Sequence, residues 1–410
     1  MKKIIVLSMA ASSLFAGGYK INEQSINSMA LGGAYIANTT HADTAYFNPA
    51  NMSFMENKNF LEGGITLAHL PANKYSGIQA LSASNIVTAN GSSEVENIPI
   101  PFFHYVSPAY GDFRFGLSLT VPGGLTKRWD EGVQKLFAQE FSLKVVELNP
   151  SVSYKLNDQL SIGAGIRAIY SEGVVKSDGF AVGVPISRDM EGDTVEFGYN
   201  LALSYQPFDG MRFAMTYRSK VDLDEEGSAD LTLTGLTSTH SATVSIPLPA
   251  SLDIAVSKTI NENFTLEFNY QRTYWSAYET LDFGYGSPIF AALIGSFDDP
   301  KAKNWQDTNT YRLGATWKIN SDMTLMFGYI YDETPVPTDT LSYELPDSDA
   351  HIFSTGVRMK YNDKISWGAS ILYAKKDSRS ISAGANENGI VGEFTDGGAI
   401  LSTLGVSYAF

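Results

Sequence analysis

The final segment of this 410-residue chain alternates between apolar and small or polar residues up to its last position. The apolar members of this alternation are Ile400, Leu404, Val406, Tyr408 and Phe410. Successive side chains of a strand point to opposite faces, so one face of this segment would meet lipid and the other a lumen. An aromatic last residue is typical of bacterial outer-membrane barrels. The segment therefore predicts an all-β barrel that is integral to the bacterial outer membrane.

The start of the chain predicts export. Met1-Lys2-Lys3 is short and basic, residues 4–11 are mostly apolar, and small residues approach a cleavage point after Ala16. This is the pattern of a secretory signal peptide, and it is too short to cross a bilayer as a helix. We therefore expect residues 1–16 to be removed and Gly17 to begin the mature protein.

Composition and missing motifs argue against several other classes of protein. The chain has no cysteine, which excludes a disulfide framework and thiol chemistry. Its formal net charge of -15 argues against a nucleic-acid partner, which would require a basic patch. The five histidines are scattered, and no HExxH or GxSxG string occurs. We expect no enzyme activity, no metal site and no cofactor.

From about residue 58 onward, amphipathic strands alternate with connections of two sizes. The segment 264–270 shows the pattern, with apolar residues on one face and Thr, Glu and Asn on the other. Short turns and seven longer segments, including 173–192 and 224–239, would join about fourteen antiparallel strands. Short periplasmic turns and long external loops are typical of outer-membrane barrels. Residues 58–410 are therefore predicted to form the transmembrane barrel.

Residues 17–57 do not follow the strand pattern and predict small helices. Asn48 occupies a helix N-cap position, Pro49 the first helical position, and Ala50 follows them. Short helices ahead of a barrel would fill its periplasmic mouth. We expect residues 17–57 to form a compact plug, called the hatch below.

Several motifs occur in an order that resembles a known family. They are Gly17-Gly18-Tyr19-Lys20-Ile21-Asn22-Glu23, Phe47-Asn48-Pro49-Ala50, Thr216-Tyr217-Arg218-Ser219, Leu248-Pro249-Ala250-Ser251, Tyr274-Trp275-Ser276, Pro335-Val336-Pro337 and Tyr408-Ala409-Phe410. Together they resemble the long-chain fatty acid transporter FadL and the TodX-like proteins for aromatic hydrocarbons. The resemblance spans essentially the whole mature chain. It implies a monomeric fourteen-stranded barrel in outer-membrane lipid and lipopolysaccharide, with an N-terminal hatch inside.

The resemblance also implies a lateral exit for substrate. In the family, an inward kink of the third strand opens a gap in the wall, and here that strand would run from Asp112 to Val121. Pro122, Gly123 and Gly124 follow as the expected gate, because proline removes a ladder donor and glycine accepts unusual dihedral angles. The alternative reading of these three residues is an ordinary start to an external loop.

Two loop segments carry apolar residues suited to capturing a hydrophobic ligand. These residues are Val133, Leu136, Phe137 and Phe141 in the first segment, and Ile289, Phe290 and Leu293 in the second. Exposed apolar patches of this kind indicate binding. Each segment could instead pack on other loops as the core of a lid. In the family that the chain resembles, the first of these loops helps to build the capture groove.

A fatty acid also brings a carboxylate, which a cation binds best. Lys303 matches a basic ligand-contacting residue of the family pocket. The second family cation is an arginine, and this chain has Ser177 at the corresponding position, with Lys176 beside it. An uncharged hydrocarbon therefore remains an alternative substrate. Tyr19, the aromatic residue nearest the mature N-terminus, is expected to reach into the pocket.

These observations predict passive uptake of hydrophobic small molecules, with long-chain fatty acids as the leading substrate class. Uptake would proceed by loop capture, binding in an interior pocket, and lateral or hatch-gated release. An aromatic hydrocarbon channel is the alternative within the same family. A general porin would instead have an open lumen, and an outer-membrane hydrolase would need a Ser/His pair at one barrel rim.

Overall fold

The computed structural model describes residues 17–181 and 183–410, and the predicted signal peptide lies outside them. Fourteen strands form the wall: β1 Phe60–Leu70, β2 Glu96–Val106, β3 Phe113–Arg128, β4 Glu140–Lys155, β5 Leu160–Ala181, β6 Val184–Phe208, β7 Met211–Arg218 and Val221–Leu233, β8 Leu236–Leu248 and Ser251–Asn261, β9 Phe264–Thr273, β10 Thr308–Lys318, β11 Met323–Asp332, β12 Ala350–Lys360, β13 Ile365–Lys376 and β14 Gly398–Ala409. All neighbours are antiparallel, and β1 pairs with both β2 and β14, which closes the barrel. The predicted fold class is confirmed. None of the helices within the described ranges has the length and apolar character that a membrane crossing requires.

The strands alternate between a lipid face and a lumen face, as the sequence predicts. On β9, Phe268 is 44% exposed, whereas its neighbours Glu267 and Asn269 are buried inside the barrel. The same division holds on β14, where Leu404 is exposed and Thr403 is buried. Apolar side chains on the outside satisfy the membrane, and polar side chains on the inside surround the hatch.

The external end of the barrel carries further short elements. A separate five-stranded sheet is formed by Lys74–Ser82, Asn85–Thr88, Gly91–Ser92, Arg379–Ile381 and Ile390–Thr395. Smaller pieces are the strands Thr280–Leu281, Phe283–Tyr285 and Lys301–Ala302, the α-helix Lys135–Ala138, the 3-10 helices Trp275–Ala277 and Ala291–Leu293, and the π-helix Ile294–Asp298. Together these elements cover the external mouth.

The prediction of an irregular external loop is wrong for two segments. The segments 173–192 and 224–239 are regular hairpins rather than irregular loops, because β5 pairs with β6, and β7 with β8, almost to their turns. Apolar side chains such as Met190 and Leu231 still alternate inward there. They are buried in the apolar cluster inside the external end of the barrel, which also contains Trp129, Leu293 and Tyr343 and is called the external core below. The barrel wall is therefore taller on this side than the sequence suggested.

The hatch lies inside the barrel. It contains the helices α1 Ile26–Ala30 and α2 Thr44–Phe47 and the 3-10 helix Pro49–Phe54. Asn48 caps the last of these, as its sequence position predicts: its Oδ1 accepts a hydrogen bond from the Ala50 amide at 3.1 Å. Its Nδ2 donates to the Ile36 carbonyl at 2.8 Å and to Ser204 Oγ of β6 at 2.9 Å. One side chain thus shapes the hatch and fastens it to the wall.

The third strand bends at the expected proline but does not end there. Its pairing with β4 shifts register between Thr120 and Gly123, and the strand then continues to Arg128. The reading of Pro122 as the start of an external loop is therefore wrong. On its other side, β3 pairs with β2 through only four residue pairs, from Phe103–Leu119 to Val106–Gly116. Beyond Leu119 the ladder between the two strands stops.

Candidate functional site

A cavity of about 1130 Å³ lies beneath the external elements, and we call it the outer cavity. Three residues of the first predicted loop segment line it, namely Leu136, Phe137 and Phe141. Other large apolar or aromatic lining residues include Phe180, Leu281, Phe283, Phe297 and Tyr343. A cavity of this size with a mainly apolar wall suits a hydrophobic ligand.

The remaining apolar residues predicted to bind ligand do not line the outer cavity. Val133 and Ile289 are partly buried against the external core, and Leu293 is wholly buried in it. Phe290 is 37% exposed on the surface. The second segment thus contributes to the packed external elements through Leu293 and to the wall of the outer cavity through Phe297.

Lys303 lies where the outer cavity meets a smaller space, called here the inner pocket, which is lined by Tyr19, Lys303 and Trp305 among others. The lysine is only 5% exposed, and its ammonium forms an ion pair with Glu344. Burial opposes ionisation of Glu344, but the charge and hydrogen bond of Lys303, together with hydrogen bonds from Ser342 and the backbone, hold the pKa of that carboxyl below its ordinary value. Lys303 therefore lies between the two spaces, with its charge paired to Glu344.

Tyr19 closes the inner pocket from the hatch side. Its ring packs against Trp275 at 4.8 Å and against Trp305 at 5.6 Å between ring centroids. Its hydroxyl donates to the carbonyl of Pro247, near the end of the first part of β8. Aromatic packing combined with a buried hydrogen bond fixes this residue between the pocket and the rest of the hatch.

Arg188 is a site residue that sequence reasoning missed. It stands directly opposite Ser177 in the ladder between β5 and β6, is 7% exposed, and lines the outer cavity. Its guanidinium lies over Phe283 at 4.6 Å and Phe297 at 4.9 Å. Its Nε has no hydrogen-bond partner among the described residues. Two long paired strands in this region would have predicted the pairing, but the sequence analysis assigned the region to a loop.

Lys176 does not reach the outer cavity. Its neighbours Val175 and Ser177 are buried inward, so the lysine points outward, where it forms ion pairs with Asp189 at 3.5 Å and Glu140 at 3.9 Å. The structure thus gives no support to Lys176 as a ligand contact. Two other cations accompany Lys303 at the cavity wall, namely the buried Arg188 and the partly exposed Lys301.

The N-terminal part of the hatch pairs with β3 at its bend. The Ile21 amide donates to the Pro122 carbonyl at 2.9 Å, and the Gly124 amide donates to the Tyr19 carbonyl at 2.9 Å. A side chain at Gly123 would approach the Tyr19 carbonyl oxygen to 3.3 Å, so glycine suits this close approach. The expected gate residues therefore form the contact surface between hatch and wall.

Gln24 completes this contact with its side-chain amide. Its Nε2 donates to the Val121 carbonyl at 2.7 Å, and its Oε1 accepts from the Val121 amide at 3.0 Å. The amide thus bonds both backbone groups of a β3 residue that β2 does not reach. Satisfying such groups matters next to lipid, where water is scarce.

A closed barrel with an apolar cavity under its external mouth and a segment filling its lumen defines an outer-membrane transport protein for hydrophobic molecules. Residues 7–410 match the family model described as "Outer membrane protein transport protein (OMPP1/FadL/TodX)". The chain belongs to this family, whose members are transport proteins of the outer membrane.

The relatives divide between two kinds of named substrate. The long-chain fatty acid transport protein of Escherichia coli O6:H1 (strain CFT073) is 24% identical over 418 residues, which covers 91% of this chain and 90% of the relative. The crystal structure of a Pseudomonas aeruginosa FadL homologue matches with a TM-score of 0.83 at 19% identity, covering 96% of this chain and 99% of that one. The Ralstonia pickettii toluene transporter TbuX matches with a TM-score of 0.70 at 17% identity, covering 95% and 99%. These similarities establish the family and the fold.

Proposed function

We propose that this protein takes up long-chain fatty acids across the outer membrane by passive diffusion. The observation that carries the proposal is the pair of buried cations, Arg188 and Lys303, in the wall of a mainly apolar cavity, which is also lined by the charged residues Lys301, Asp299, Glu344 and Glu387. Burying a cation costs free energy unless an anion or other hydrogen-bonding group accompanies it. Lys303 already has such a partner in Glu344, but Arg188 has no carboxylate partner among the described residues. An ionised carboxylate on an apolar chain supplies that partner, whereas a hydrocarbon does not.

The arrangement supports a route from outside to the wall. A ligand captured by the external loops would enter the outer cavity, pass Lys303 into the inner pocket, and meet Tyr19. Since the hatch residues after Tyr19 pair with β3, displacement of this segment would lead to the place where β2 and β3 separate. Lateral release there, from a monomer surrounded by lipid and lipopolysaccharide, would need only a concentration gradient.

One observation favours an aromatic hydrocarbon as the second candidate substrate. Glu344 neutralises Lys303, and the rings of Phe283 and Phe297 partly compensate the charge of Arg188. With both cations so occupied, the outer cavity would suit an uncharged ring. A general porin receives less support, because buried hatch helices occupy the lumen.

Ligand binding to the detergent-purified protein distinguishes these functions. A fluorescent long-chain fatty acid should bind saturably, be displaced by oleate, and bind more weakly after Arg188→Met or Lys303→Met. Lys176→Met is the matched control, because that lysine faces outward. Displacement by toluene but not by oleate, with the cation variants unchanged, would assign the protein to hydrocarbons. No saturable binding, together with large single-channel conductance, would point to a porin.

A further inference from the structure

Besides the outer cavity and the inner pocket, a further space lies deeper in the barrel, between the hatch and the wall. We call it the hatch-level cavity. Its volume is about 50 Å³. It begins one residue beyond the inner pocket along the chain: Tyr19 lines that pocket, whereas Lys20, Ile21 and Asn22 line this cavity. Pro122, at the bend of β3, is also part of its wall. The cavity therefore lies on the route from Lys303 to the gap between β2 and β3.

The wall of this cavity carries an excess of positive charge. Four basic side chains and one carboxylate line it: Lys20, Arg167, Arg218, Arg312 and Asp253. A further carboxylate behind the wall, Glu147, is shared between two of them, since it accepts from Arg167 Nε at 2.9 Å and also from Arg218. Two more buried carboxylates, Glu23 of the hatch and Asp332 of β11, lie near Arg312 and attract it, but neither forms an ion pair or hydrogen bond with it among the described residues.

Arg312 of β10 is the least satisfied member. It is 2% exposed, and its Nη2 donates to Gln271 Oε1 at 3.1 Å. Its Nε and Nη1 have no hydrogen-bond partner among the described residues, and the same is true of Arg218 Nη1. Buried guanidinium groups with free N–H donors are costly to maintain and bind planar anions well.

The hatch backbone leaves room for this arginine. Gly33 has a φ of +74°, and a side chain there would approach Arg312 Nε to 2.9 Å. Any other residue at this position would therefore press against the guanidinium. Glycine keeps the free donors of Arg312 accessible from within the cavity.

We propose that Arg312 and Arg218 form a second carboxylate-binding site, which receives the head group of the ligand after it leaves Lys303. This inference rests on the proposed function. The ionised carboxylate of the ligand would be bound twice along the route, first near Lys303 and then by Arg312 and Arg218. The cavity has room for a head group but not for an acyl chain, so occupancy requires the segment around Tyr19 to move. A head group held here places the chain beside Pro122 and the gap in the wall.

Uptake rates for a charged and an uncharged ligand of equal chain length test this site. In cells that lack other fatty acid transporters, Arg312→Met should slow oleate uptake by about tenfold, as expected for the loss of one charge-assisted hydrogen bond. Uptake of oleyl alcohol should stay unchanged, and so should binding of the fluorescent acid at the outer cavity. Arg312→Lys should restore part of the oleate rate. Arg212→Met is the matched control: that arginine of β7 donates to Asn38 of the hatch at 3.0 Å and does not line the cavity.

The thermal midpoint separates a ligand site from a structural role. Arg312→Met leaves the nearby buried carboxylates Glu23 and Asp332 without its charge and should lower the midpoint, whereas Arg312→Lys keeps the charge and should leave the midpoint nearly unchanged. A reduced oleate rate in Arg312→Lys at an unchanged midpoint would therefore reflect the lost guanidinium contacts and not a loss of stability. Equal losses of oleate and alcohol uptake, or an unaltered oleate rate in Arg312→Met, would overturn the inference while leaving the proposed function intact. Failure of the unaltered protein to bind or import oleate would overturn both.

Discussion

Arg188 and Ser177 face each other across the ladder between β5 and β6, and the guanidinium lies 3.4 Å from the serine hydroxyl. The family resemblance placed a cation at position 177, where this chain has a serine. The structure supplies a cation to the same part of the cavity wall from the opposite strand. Charge at a binding site can thus be kept in space while its position in the sequence changes.

Replacing Arg188 by methionine should weaken oleate binding. Loss of a hydrogen bond to a charged group costs about 1.5–3 kcal/mol, which corresponds to a roughly tenfold to hundredfold rise in Kd. Methyl oleate, which has no ionised carboxylate, should bind with unchanged affinity, and Lys176→Met should change neither. Competition titrations measure all of these values. Parallel losses for acid and ester would show that the arginine shapes the cavity and does not bind the head group.

Glu344→Gln should strengthen oleate binding. Glu344 is the ion-pair partner of Lys303, so an incoming carboxylate must compete with it. Removing the competing charge while keeping the side-chain shape should lower the Kd for oleate by about tenfold, a change of about 1.4 kcal/mol. Isothermal titration of the variant and of the Lys303→Met/Glu344→Gln double variant would show whether the gain depends on the lysine. An unchanged or higher Kd in the single variant would contradict the prediction.

The Lys303–Glu344 pair should also contribute a pH-dependent part of stability. Because the folded-state pKa of Glu344 lies below its ordinary value of 4.5, ionisation favours the folded protein. The contribution should be complete at neutral pH and disappear as the pH falls through the folded-state pKa. Thermal midpoints of the unaltered protein and Glu344→Gln should therefore differ at pH 7 and converge in acid. A constant difference across this range would contradict the assignment.

Gln24→Leu should loosen the hatch at the bend of β3. Leucine cannot replace the two hydrogen bonds to Val121, and leaving buried backbone groups unpaired costs about 1–3 kcal/mol each. We expect faster amide hydrogen exchange at residues 119–124 and faster uptake of uncharged ligands. Gln159→Leu, in an exposed turn, is the control. Unaltered exchange at these residues would show that the amide does not hold the strand edge.

The sequence predicted what depends on local pattern. Alternation along single strands identified the barrel, and Asn48 and Pro49 identified a helix start. The irregularity of β3 near Pro122 was expected from the family resemblance, because the local pattern left a loop start equally open. The pairing of Arg188 with Ser177 was missed because two long strands were assigned to a loop, which removed the register between them. Glu344 was missed because it is 41 residues from Lys303 and meets it only through the packing of two external loops. Such contacts depend on which strands pair and which loops pack together, and a pattern within a single segment does not contain that information.

The weak ladder between β2 and β3 also bears on how the barrel comes apart. Only four residue pairs join β2 to β3 along this seam, whereas ten join β1 to β14. Detergent or heat should therefore separate β2 from β3 before it separates other neighbouring strands. The hatch spans the upper part of the seam by bonding to β3, and so acts as a partial replacement strand. Resistance of the folded protein to SDS should therefore be set by how firmly the hatch is seated, and a ligand that displaces the hatch should shorten the lifetime of the whole barrel in SDS.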